Sequence, residues 1–95
     1  MSLGATYDAA ADALYLASRP GVAIAETEEL DPRVIVDRDA TGHVVGVELL
    51  EAARRGIPIG LLVRALGADV TDGQEVGEAA LRAVRVAGPG GTDTP

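Results

Sequence analysis

The 95-residue chain contains no cysteine, tryptophan, phenylalanine or lysine, and only two tyrosines and one histidine. Each shortage excludes something. Without cysteine there is neither a disulfide scaffold nor a thiolate metal cluster, and the composition suits a reducing cytoplasm. One imidazole, His43, is too few for a zinc site. No apolar run approaches the roughly 18 residues that a membrane span needs, and the N-terminus lacks the basic-then-apolar layout of a signal peptide. Basic residues are scarce as well: eight arginines face fifteen acids, for a net charge of −7. The only basic doublet, Arg54-Arg55, is too small to grip a phosphate backbone, so nucleic acid is not an expected partner.

What remains is an aliphatic, acidic chain. Hydrophobic residues make up 47%, enough for one core, and the length fits a single domain. That domain is expected over residues 1–87, with a flexible tail at 88–95, where three Gly and two Pro stand in eight positions. The charge is concentrated: residues 26–51 hold eight acids against two arginines, a balance of −6. Such a field serves solubility, or steers a basic protein partner.

The first half alternates with period two. Short apolar segments at 3–7 and 13–18 flank a turn at 9–12, and Arg19-Pro20-Gly21 supplies a second turn. Segment 22–30 carries three Glu, which suits a sheet margin. After Asp31-Pro32, the β-branched Val34-Ile35-Val36 and the alternating 43–50 read as strands joined by a hairpin at Asp39–Gly42. From Glu51 onward the period becomes helical. One turn is expected at 51–55, and a helix at 58–66 presents Ile57, Leu61, Leu62, Ala65 and Leu66 as its stripe. A final helix, introduced by Thr71-Asp72, buries Val76, Ala79, Ala80, Ala83 and Val84 opposite Glu75, Glu78, Arg82 and Arg85. Strands followed by helices define an α+β fold: an antiparallel β-meander of four to five short strands, then one or two C-terminal helices.

No assembled catalytic set is visible. Asp37, Asp39, Thr41, Gly42 and Glu48 occupy positions 1, 3, 5, 6 and 12 of a calcium-loop pattern. The flanks read as strands rather than helices, position 9 is Val45, and the hairpin accounts for the same residues. His43 has no nucleophile beside it. Glu26 and Glu28 share a strand face, as a carboxylate pair would, and Glu48 interrupts the most apolar strand. No metal or cofactor is expected.

Several segments taken together resemble a known family. They are Tyr7-Asp8-Ala-Ala-Ala-Asp12-Ala-Leu14-Tyr15-Leu16, Glu26-Thr27-Glu28-Glu29-Leu30, Val34-Ile35-Val36-Asp37, the Asp39–Gly42 turn and Val45-Gly46-Val47-Glu48-Leu49-Leu50-Glu51-Ala52. In this order they resemble the small prokaryotic proteins of the domain of unknown function 2283 family, over roughly residues 5–55. The resemblance implies a compact β-meander with a helix and names no reaction. The sequence departs from that pattern at Ala10, where the family commonly carries an acid, and in a longer Ala- and Gly-rich C-terminal part.

Three functional readings follow. The first is a non-enzymatic interaction module that self-associates, with a homodimer expected first, since a small sheet leaves apolar surface uncovered. The second is an acidic, antitoxin-like protein that neutralises a small basic partner. The third is a hydrolase using Asp12, Glu26 and Glu28. Candidate binding residues are Asp12, Tyr15, Glu26, Glu28 and Glu48.

Overall fold

The computed structural model describes residues 3–67 and 72–87. Thr71 and the tail at 88–95 lie outside the described residues. Five strands come first: β1 (Gly4–Asp8), β2 (Ala13–Ala17), β3 (Glu26–Asp31), β4 (Val34–Arg38) and β5 (Val44–Leu50). Three helices follow: α1 (Ala52–Arg55), α2 (Ile59–Leu66) and α3 (Gly73–Ala87). The α+β class expected from the residue pattern is the class observed.

The strands form one antiparallel sheet in the order β1-β2-β5-β4-β3. Only β3, β4 and β5 make a true meander. The β1–β2 hairpin joins on the other side of β5, so β2 pairs with β5 rather than with its sequence neighbour β3. Burial explains the order. Leu14 and Leu16 on β2, Val47 and Leu49 on β5, and Val34 and Val36 on β4 are all fully buried. These apolar strands occupy the middle, while acidic β3 stays at the margin, exposed from Glu26 to Leu30.

The strand expected over 22–30 begins only at Glu26. Upstream, the turn at Pro20-Gly21 takes the Val22 N–H for the Arg19 carbonyl at 3.3 Å, and Val22 and Ile24 remain 43% and 53% exposed. The ladder is first approached at Ala25, whose N–H donates to the Arg38 carbonyl at 2.8 Å.

One sheet face is covered by α2 and α3. Leu62, Ala65 and Leu66 from α2, and Val76, Ala79, Ala80 and Ala83 from α3, close the core on the expected stripes, while Val84, expected among them, is only partly buried at its border. Pro58 stands just before α2, at its N-cap. The Asp72 carboxylate accepts the Gln74 N–H at 2.9 Å and so caps α3. Gly77 costs α3 about 1 kcal/mol of helix propensity relative to Ala. A Cβ at this position would meet Ile59 of α2 at 3.6 Å, an ordinary contact, so the packing does not require glycine there.

Leu62 is fully enclosed between helix and sheet. Leu62→Ala is expected to lower unfolding stability by about 2–5 kcal/mol in urea titration. Ile24→Ala, outside the ladder and half exposed, is expected to change it by no more than about 0.5 kcal/mol.

Candidate functional site

The chain turns sharply where β5 ends. Glu51 adopts a left-handed conformation (φ 57°), and the four-residue α1 follows. A single helical turn leaves its N–H groups without partners inside the helix. Asp12, from the distant β1–β2 turn, supplies them. Its backbone carbonyl accepts the Ala52 N–H at 3.2 Å, Oδ1 accepts the Ala53 N–H at 2.7 Å, and Oδ2 accepts the Arg54 N–H at 3.1 Å. The Tyr7 hydroxyl donates to Oδ1 at 2.6 Å. Asp12 is itself left-handed (φ 52°), a conformation Asp tolerates better than most residues.

The Tyr7 bond, followed by the backbone N–H groups of Ala53 and Arg54, holds the Asp12 carboxyl below its ordinary value of 3.8. The same bond raises the Tyr7 phenol above 10.0. A general base needs a free lone pair and a pKa near the working pH. Asp12 has neither. A shallow hollow of about 420 Å³ lies over it, lined by Tyr7, Ala9, Ala10, Ala11, Ala53 and Arg54. The Ala10 departure therefore leaves the floor of that hollow with a methyl group.

Arg33 grips the same corner from its carbonyl side. Nε donates to the Leu50 carbonyl at 2.9 Å, and Nη2 donates to those of Glu51 at 2.9 Å and Gly56 at 2.7 Å. Nothing in the sequence pattern singles out Arg33. It follows a turn-forming Asp-Pro, and its three acceptors are 17 to 23 residues away.

The other sheet face carries a second polar group. Tyr15 lies opposite Glu48 in the β2–β5 register, and Glu48 lies opposite Ile35 on β4. The Tyr15 hydroxyl reaches across β5 to donate to Asp37 Oδ2 at 2.9 Å, and Thr27 on β3 donates to Asp37 Oδ1 at 2.8 Å. The passage exists because Gly46 has no side chain: a Cβ there would collide with the Tyr15 hydroxyl. Burial, then the Asp37 bond, with Asp37 and Glu48 charge behind them, pushes the Tyr15 pKa up to about 12. The phenol is thus a fixed hydrogen-bond donor at neutral pH.

Glu26 and Glu28 lie on the marginal β3, and Glu28 meets Arg38 at 3.3 Å in an exposed pair. Three ladder steps of roughly 4.8 Å separate β3 from β2, so the structure does not gather Asp12, Glu26 and Glu28 into one site. It does bring Tyr15 and Glu48 together, and adds Asp37 and Thr27, which the sequence reading omitted.

At the hairpin, Asp39 Oδ1 accepts the N–H groups of Thr41 (2.9 Å) and His43 (3.0 Å) and the Thr41 hydroxyl (2.7 Å). The Thr41 bond, with the His43 and Thr41 N–H groups, lowers the Asp39 pKa. Strands, not helices, flank this turn, so the residues of the calcium-loop pattern build a β-hairpin. Among the described residues no three His, Asp or Glu side chains are grouped to hold a metal ion. No helix among them is long and apolar enough to cross a membrane.

A family model of proteins of unknown function, DUF2283, matches residues 5–52, which span all five strands and the start of α1. The chain belongs to this family. No curated protein and no solved structure matches it.

Two measurements test the open-face group. Gly46→Ala is expected to cost about 1–3 kcal/mol, since the Tyr15 ring must leave Asp37 to make room. The cost should shrink in a Tyr15→Ala background. In the unfolded chain Tyr15 ionises near the ordinary 10.0; in the fold it does so at about 12. The folded state therefore retains the proton over that interval. The stabilisation is whole below the unfolded pKa and is lost as pH rises through about 12. Phenolate absorbance should accordingly show no tyrosine titrating in the folded protein at the ordinary value.

Proposed function

We propose that this chain is a non-enzymatic protein-interaction module that self-associates as a homodimer. The observation that carries the reading is the contrast between the two sheet margins. β3 is guarded by Glu26, Glu28, Glu29 and Asp31, charges that deter further strand pairing. β1, Gly-Ala-Thr-Tyr-Asp, bears no charge before Asp8. An uncharged strand margin invites pairing unless something covers it. Two of the three carboxylates that would serve a hydrolase are engaged elsewhere, Asp12 on backbone N–H groups and Glu28 on Arg38, and Glu26 stands on the far margin of the sheet from Asp12. The module works without a cofactor, and its lack of cysteine suits the cytoplasm.

A second reading has its own support. The exposed acids of β3, with the open-face Glu48 and Tyr15, present a negative surface to a basic protein partner. In that reading Glu26, Glu28 and Glu48 make the contacts, and Asp12 only holds the frame.

Light scattering over a concentration series tests the first reading. A dimer mass at micromolar concentration is expected, and a strict monomer throughout would overturn it. Titration with an arginine-rich peptide tests the second. Salt-sensitive binding that weakens in Glu26→Gln/Glu28→Gln is expected there; salt-independent binding, or none, would remove it.

A further inference from the structure

We infer that the second copy docks along β1 and α3, so that two sheets join at β1 and the two α3 helices lie antiparallel across one two-fold axis. This rests on the self-association reading and specifies its surface. The observations come from the sheet margin, the groove beside it and the charge order of α3.

The groove is about 280 Å³ and runs between β1 and α3. Ala5 and Tyr7 form its strand side, and Ala79, Arg82, Ala83 and Val86 its helix side. Val86 is 81% exposed there. Ala79 and Ala83 are themselves buried against the sheet, so Val86 and Arg82 are what the helix side of the groove offers a second copy. Spacing fits as well. α3 packs chiefly on β1 and less on β2. Joining two β1 strands puts them about 4.8 Å apart. Helices seated between β1 and β2 on either side then stand two strand spacings apart, roughly 9–10 Å, the usual distance for packed helices.

The charges of α3 choose the orientation. Glu75 and Glu78 lie in its first half, Arg82 and Arg85 in its second, at spacings of three, four and three residues. That spacing puts all four on one stripe. With the axis level with Ala80, Glu75 faces Arg85 of the second copy and Glu78 faces Arg82 of the second copy. Symmetry repeats both pairs. A parallel arrangement would set like charges together. Pairing through β3 would set its four acids against themselves, so the closed dimer leaves that margin free.

Charge reversal tests the arrangement. E78R alone puts two arginines against two, and R82E alone puts two glutamates against two. Each is expected to weaken the homodimer by on the order of tenfold or more, since each affects two symmetry-related pairs. Mixing the two variants makes every such contact complementary again and should restore a heterodimer. Both positions are exposed, and circular dichroism should show each variant folded. If a variant fails to fold, wild-type hydrogen exchange decides: β1 amides should slow as concentration rises while β3 amides do not. A wild-type dimer unmoved by both substitutions, or a mixture that fails to reassociate, overturns this interface and leaves self-association standing. A wild-type monomer at every concentration overturns both.

Discussion

The helical turn after β5 is held from both sides by charged groups from elsewhere in the chain. Asp12 takes its N–H groups, and Arg33 takes the carbonyls of Leu50, Glu51 and Gly56. A four-residue helix does not persist unaided, because its nucleation cost is not recovered over so few hydrogen bonds. Here the bonds are supplied by the β1–β2 turn and by the start of β4. The direction in which the chain leaves the sheet, and with it the seating of α2 and α3, depends on that clamp. A buried or half-buried polar group left unmatched is costlier than a matched one is helpful, so the corner is specified by both partners together.

The sheet is asymmetric in two directions. Face to face, α2 and α3 cover the aliphatic side, while the other side keeps Tyr15, Asp37 and Thr27 in one hydrogen-bonded group over Gly46. Margin to margin, β3 is charged and β1 is not. Both asymmetries trace to residue type. Val and Leu alternate on β2, β4 and β5 and claim the centre; the acids of β3 are tolerable only where water reaches them. The family match covers the strands and both gripping residues of the clamp, Asp12 and Arg33, and ends as α1 begins. α3, with its ordered charges, falls outside that span, so the surface proposed for self-association pairs a strand inside the family match with a helix beyond it.

Much of the architecture was legible in residue patterns because it is local. Period-two alternation located β2 and β5, a β-branched run located β4, Gly42 located the hairpin, and helical spacing located α2 and α3. Strand order was less legible. It depends on which strands can bear burial on one face together, a property of the set rather than of any segment. The start of β3 was misplaced because Val22 and Ile24 alternate properly, yet a turn withdraws them from the ladder. At the site, Asp12 and Tyr15 stood out as candidate binding residues, but the distant partners they meet did not. Asp12 meets α1 across 41 residues, and Tyr15 meets Asp37 across 22. Arg33 left no sign at all, since a lone arginine after Asp-Pro resembles any turn residue.

The separation between Asp12 and its helix has a consequence for how the protein is made. Residues 44–54 follow the first hairpin in the chain, so until they are made β2 has no β5 to pair with and Asp12 has no α1 to cap. Leu14 and Leu16, buried in the fold, stay uncovered until β5 pairs beside them. Closure of the corner is then a late event that locks early and late segments at once.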